Sequence, residues 1–354
     1  MTTVGQMTVE RRYYVCPDCR LSQTPLDVWA GIGHRMASEH ARRVIVVAGS
    51  TWSFEQASAK LRELCRMRVS NDTIRAECDE EGERAGRWVR SEKSLAGRMA
   101  KAAGELEFSS DGMKINTVRG WAEMRLSVLD KRESTGAVGP EQWADRVLPE
   151  PTARLAWCQI APCRLVGARW AVMFKQLGIG KEALLSVIAD GAKWIWEQAG
   201  LRLPTANASW VVDVYHVSEH LHDCGKQLLG EGAAARGWAV EKLALLLNQG
   251  GPALVRHVEE LLGAPSQASS HRALKKLSGY LRDNQDRMWY RQRLAAGRPI
   301  GSGLIEGGCK TILGARLKLN SARWQPRRAE RIGNLRCLQY SDLWDSYWNA
   351  RAAA

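Results

Sequence analysis

Between residues 105 and 229 the order of hydrophobic patterns limits the fold more than any other feature of the chain. Leu106 to Ser110, Lys114 to Arg119 and Trp121 to Leu129 alternate or carry β-formers, and predict strands that follow one another directly. Leu155 to Ile160 predicts another strand. After it the pattern alternates: helix 168–177, strand 184–189, a helix holding Trp194, Ile195 and Trp196, strand 210–213, helix 217–229. Adjacent strands followed by strand–helix alternation describe an α/β fold, a mixed sheet covered by helices. Residues 131–151, rich in Gly, Pro and charge, predict a loop.

On either side the sequence is helical. Ser53 is a candidate N-cap with Gln56 placed for a capping box, and Ala57, Leu61 and Leu64 recur at helical spacing. A short turn at Arg66 to Val69 leads to a second helix opened by Ser70, so residues 52–87 predict a helix-turn-helix. Such a pair can lay its second helix in a major groove, or simply be a hairpin packed on a neighbour. Residues 231–296 predict helices broken at Gly250-Gly251 and around Gly263-Ala264-Pro265. The expected organisation is a partial zinc-ribbon segment (1–30), a helical DNA-binding region (31–100), the first part of a core (101–230), a helical insertion (231–299) and the last part of the core (300–354).

Three acids stand out against this frame. Asp111 and Asp190 each close an apolar stretch and precede a glycine, and Glu306 opens a helix after the turn Gly301-Ser302-Gly303. One Asp-Gly is an ordinary turn signal. All three together, in a chain of net charge +13, suggest a Mg²⁺ site facing nucleic acid. Hard oxygen ligands suit Mg²⁺, Mn²⁺ can substitute, and two such ions can clamp the attacking and leaving oxygens of a phosphodiester. Asp213 and His216 form a linked Asp-x-x-His at another strand end, suited to supporting the site or touching phosphate, or to fixing the turn. His220, His222 and Cys224 follow, without the His-Glu-x-x-His arrangement of a zinc enzyme.

The positive charge is uneven. From Arg282 to Arg336 there are 13 Lys or Arg and four Asp or Glu. Lys310, Arg316, Lys318, Arg323, Arg327 and Arg328 are the candidate phosphate contacts, which position DNA without reading its sequence. Trp238 and Trp289 in the insertion would serve either as core or as base-stacking groups. Cys16-Pro17-Asp18-Cys19 has the spacing of half a zinc site, and His34 and His40 could complete it, though zinc needs four ligands. The nine cysteines are otherwise scattered and form no disulfide framework. Apolar runs such as Val44 to Ala48 are far too short to span a membrane. The start lacks a basic stretch with an apolar core, so a cytoplasmic, nucleoid-associated protein is expected.

These segments resemble bacterial insertion-sequence transposases of the DDE class, the ISKra4-like family most of all. The resemblance runs through Arg11 to Cys19, Ser109 to Gly112, Ile188 to Trp196, Asp213 to Leu221, and Gly301 to Lys310 with Arg316, Lys318 and Trp324. It implies an RNase H-like core with a helical insertion before the last catalytic helix. It implies Asp111, Asp190 and Glu306 as ligands of two Mg²⁺ ions. It also implies cleavage at transposon ends, joining of the 3′-OH to target DNA, and a homo-oligomer on double-stranded DNA. The family usually carries another Cys pair ahead of Arg11, which this sequence lacks, so zinc stays open. A non-catalytic DNA-binding derivative and an RNase H-fold nuclease without strand transfer are the alternatives.

Overall fold

A computed structural model describes residues 8–29, 37–204, 206–264 and 267–352. A short hairpin, β1 (Tyr14–Val15) and β2 (Ser22–Gln23), precedes α1 (Pro25–Trp29). Then come α2 (Glu39–Thr51), α3 (Phe54–Cys65), α4 (Asn71–Ser91) and α5 (Ser94–Lys101). The predicted capping box forms at Ser53 and Gln56, and Ser70 caps α4 through the Thr73 N–H. These helices are built into the molecule. Arg42 of α2 reaches Glu77 at 2.8 Å and the fully buried Glu81 at 2.5 Å, both on α4.

The sheet follows: β3 (Glu105–Thr117), β4 (Gly120–Arg132), β5 (Ala153–Gln159), α6 (Cys163–Gln176), β6 (Leu185–Ala189), α7 (Lys193–Arg202), β7 (Ala208–Val212) and α8 (Val214–Leu229). Its order is β5-β4-β3-β6-β7. β3, β4 and β5 are antiparallel neighbours, while β6 and β7 run parallel to β3 and to each other. This mixed five-stranded sheet with its helices is compatible with an RNase H-like fold. Phe108 of β3 anchors the core, packed edge-on to Trp170 and Phe174 of α6 and stacked on Trp157 of β5.

One expectation changes here. The sequence reads as two strands broken at Asp111-Gly112, whereas β3 runs unbroken through both and turns only at Val118-Arg119. An Asp-Gly pair favours a turn locally. Full-length pairing with β4 overrides that preference, with Asp111 opposite Leu126.

The segment expected as a helical insertion contains α9 (Ala233–Gln249), α10 (Gly251–Gly263), α11 (Ala268–Asn284) and α12 (Tyr290–Ala295). It docks on the sheet edge through the Tyr290 hydroxyl, which donates to Val212 O at 2.8 Å, and through Arg293, which reaches Ser209 and Ser186. After it come α13 (Gly303–Gly308), a π-helical turn (Cys309–Gly314), α14 (Ala315–Leu317), α15 (Pro326–Tyr340) and α16 (Trp344–Ala352). An exposed strand edge invites pairing with other chains. α15 covers the edge at β5, where Ser341, just past its end, and Glu330 accept the N–H groups of Ala156 and Ile160. Among the described residues no helix is long and apolar enough to cross a membrane.

Candidate active site

The acids converge where the parallel strands end. Pairing of β3 with β6 stops at Phe108 and Val187. Past that point β3 continues as a ribbon with β4, carrying Asp111 beyond the last β6 pairing and meeting Trp324 near its end. Asp190 follows the last residue of β6, and Asp213 follows the last residue of β7. The segment that returns from the insertion is stitched to these ends. Asp213 N–H donates to Ala189 O at 2.8 Å, Val214 N–H donates to Ile300 O at 3.0 Å, and the Ser302 hydroxyl donates to Asp213 Oδ2. Glu306 of α13 is thereby delivered beside the strand ends.

Each acid has a distinct setting. Asp111 Oδ1 accepts its neighbour's Gly112 N–H at 2.6 Å, and Oδ2 faces the Cys309 thiol at 3.6 Å. Burial and then the charge of Asp190 raise the Asp111 pKa, against the lowering effect of the Gly112 N–H. Asp190 Oδ1 accepts the Ala192 N–H at 2.9 Å, and Oδ2 lies 3.7 Å from His216 Nε2. At that distance the contact is an ion pair rather than a hydrogen bond. Burial pushes the Asp190 pKa up, but His216 and the Ala192 N–H outweigh it and leave the carboxyl below its usual range. His216 in turn is raised to about 9, chiefly by Asp190. Glu306 is raised by burial and then by the Asp213 carboxylate beside it.

Asp213 differs from the others. It is fully buried, with Oδ1 accepting the Tyr215 N–H at 2.8 Å as the N-cap of α8 and Oδ2 engaged by Ser302. Asp190 keeps 29% of its side chain exposed. The tight turn after Asp190 needs glycine at 191, whose φ is +92° and whose missing Cβ would sit 3.0 Å from the Tyr280 ring of α11. The Tyr280 hydroxyl donates to Asp190 O at 3.3 Å.

The residues fit a divalent cation in one respect: half-buried carboxylates lie near one another, and beside burial the charge of Asp190 raises the Asp111 pKa and that of Asp213 raises the Glu306 pKa, an effect that positive charge would offset. As placed, His216 takes up Asp190 while Asp213 and Glu306 lie side by side. Among the described residues no three or more His, Cys, Asp or Glu close up into a metal-holding group. Cys16 is half-buried and Cys19 exposed, and the Cys16 thiol is lowered by the backbone N–H groups of Cys19 and Asp18. His34 lies outside the described residues, as does Pro265, and His40 stands exposed on α2.

The basic candidates divide. Lys310, Lys318, Arg323 and Arg327 are exposed. Arg328 is half-buried and pairs with Asp79 of α4 at 2.8 Å. Arg316 does not face solvent. It is 2% exposed, donates to Gly49 O at 3.1 Å, and lies against the rings of both Phe54 and Trp324. A guanidinium downstream of Glu306 reads from sequence as a phosphate contact, yet its flat face also suits aromatic packing. Trp238 is partly buried against the core, and Trp289 is 43% exposed.

Cys309, Ser302 and Tyr280 were not singled out from sequence as site residues. Cys309 had a signal, standing three residues after Glu306 and so on the same helix face. Tyr280 had none, since only the docking of the insertion brings it to Asp190. No protein family matches the chain, and no curated protein matches it either.

Proposed function

We propose that the chain is a DDE transposase, a Mg²⁺-dependent enzyme that cuts DNA at element ends and joins the 3′-OH to target DNA. The observation that carries this reading is the convergence of Asp111, Asp190 and Glu306, from positions far apart in sequence, at one end of a mixed sheet. Asp111, Asp190 and Glu306 would hold the Mg²⁺, which when bound supplies positive charge for the attacking and leaving oxygens of the phosphodiester. Asp213 would orient α8 and the turn before Glu306, and His216 would face Asp190 as a charged partner. Lys310, Lys318, Arg323 and Arg327 would position the phosphate backbone. The exposed Arg75, Arg87 and Arg90 of α4 would extend that contact from the helix-turn-helix. Cys16 and Cys19 would offer two of the four ligands of a zinc, and a homo-oligomer would bring two element ends together.

The test uses the DNA flanking the gene, searched for inverted repeats and supplied as a duplex with Mg²⁺. Cleavage at the repeat ends, lost in Asp111→Ala with DNA affinity retained, supports the reading. Cutting without joining, even when a pre-cut 3′-OH end is provided, points to a nuclease of the same fold.

A further inference from the structure

Two aromatic rings border the acidic cluster without belonging to its carboxylate set. Tyr215 follows Asp213 by two residues, and its backbone N–H is fixed on Asp213 Oδ1, yet its ring is 50% exposed. The ring lies against Gly301, on the turn that leads to Glu306. A Cβ on Gly301 would come within 2.8 Å of Tyr215 Cε2, so only glycine lets the ring lie this close to the backbone. Trp143 meets Tyr215 with ring centroids 5.4 Å apart and planes at 53°.

Trp143 is half-buried. It sits on the connection between β4 and β5, which is tied down on both sides. Thr135 N–H donates to Gly297 O at 3.0 Å, Val138 N–H to Leu294 O at 3.1 Å, and Arg146 to Arg298 O at 2.8 Å. Tyr215 therefore stands between the Asp213 and Glu306 segments, with Trp143 against its ring. A tyrosine that served only the core would turn inward. This one keeps half of its surface open to solvent, two residues after Asp213 and against the turn that leads to Glu306.

We propose that Tyr215, backed by Trp143, is a stacking shelf for an unpaired nucleobase next to the phosphodiester being processed. The inference rests on the DNA-processing reading of the same site and adds a substrate feature to it: a strand locally unpaired near the cut. An aromatic face accepts any base, because every base has a π-face. The shelf thus favours single-stranded or frayed DNA over intact duplex without reading sequence. Its contribution is independent of salt, unlike that of the basic residues downstream.

The test measures binding of a short oligothymidylate bearing one 2-aminopurine, and of the same strand annealed to its complement, to the full chain without divalent cation. For the wild type, 2-aminopurine fluorescence should be quenched on binding the single strand. Tyr215→Ala should weaken single-strand binding about 5- to 150-fold, the range for loss of one stacked base, and abolish the quench. Duplex binding and the salt slope should stay as in the wild type. Tyr215→Phe, which keeps the ring, should restore both affinity and quench, and Trp143→Ala should fall between. Unchanged single-strand affinity and quench in Tyr215→Ala, with the wild type binding both forms, overturns the shelf while leaving the DNA reading intact. Equal loss on single strand and duplex also overturns it. Failure of the wild type to bind either form removes the DNA reading and the shelf with it.

Discussion

Cys309 Sγ stands 3.6 Å from Asp111 Oδ2, one helical turn after Glu306. The thiol occupies the oxygen of Asp111 that the Gly112 N–H leaves open. It therefore contacts the carboxylate from the π-helical turn that directly follows the Glu306 helix, and links the position of one acid to that of the other. Cys309→Ser keeps a donor and should behave nearly as the wild type. Cys309→Ala removes it and should raise the Mg²⁺ concentration needed for half-maximal cleavage about 10-fold, as loss of a supporting contact typically does. A titration of rate against Mg²⁺ for the three proteins decides this. Identical curves would mean that the thiol only fills space.

Asp190 and Asp213 both end strands, and their surroundings separate them. Asp213 is spent on the α8 cap and on Ser302, while Asp190 faces partly outward. Asp190→Asn should be inactive in Mg²⁺. Asp213→Asn keeps an oxygen for the Tyr215 N–H and should be slowed about 10- to 100-fold. Asp213→Ala should in addition lose about 1 kcal/mol of stability with its cap. Single-turnover rates together with denaturant titrations check both parts. Activity in Asp190→Asn with none in Asp213→Asn would exchange their roles.

The arginines predict a division between folding and binding. Arg316→Ala should destabilise by about 2–4 kcal/mol, since it strips a buried charge-assisted hydrogen bond and two cation–π contacts. Its effect on the salt dependence of DNA binding should be small. Arg323→Ala with Arg327→Ala should leave stability unchanged and flatten the slope of log K against log salt by about 2, near 0.9 per phosphate contact. Denaturation midpoints and binding at several salt concentrations give both numbers. An unchanged slope would turn this face to solvent.

Far from the acids, Asp130 of β4 is 2% exposed, and its Oδ2 has no hydrogen-bond partner. Burial, and then Glu107, raise its pKa well above the carboxylate range. The folded protein therefore binds a proton that the unfolded chain releases from about pH 4 upward. Asp130 consequently lowers stability as pH rises from there toward its folded pKa. Asp130→Asn is neutral throughout, so its melting temperature should gain on the wild type as pH increases over that window. A difference independent of pH would show that the carboxyl is not protonated in the fold.

The sheet was legible because strand alternation and β-formers are local signals, and the positions of Asp190, Asp213 and Glu306 at element ends followed from them. The continuity of β3 through Asp111-Gly112 was not, because pairing with β4 is a non-local force that no window around residue 111 contains. The same holds for Arg316. Its sequence neighbourhood is basic, but its partners Phe54 and Trp324 come from different elements. The neighbours that shape the acids, Ser302 on Asp213 and Tyr280 over Gly191, depend on how the insertion returns the chain, which periodicity does not encode.

We propose that Asp111, Asp190 and Glu306 make one metal-dependent centre for DNA strand cleavage and joining. The most direct measurement is a single-turnover assay with a pre-cut 3′-OH element end and target duplex in Mg²⁺, comparing wild type with Asp111→Ala at matched DNA occupancy. Joined product is expected from the wild type and none from the variant, with similar or tighter DNA binding by the variant because a negative charge near phosphate is gone. Joined product from Asp111→Ala at the wild-type rate, or from the wild type in excess chelator, would contradict it.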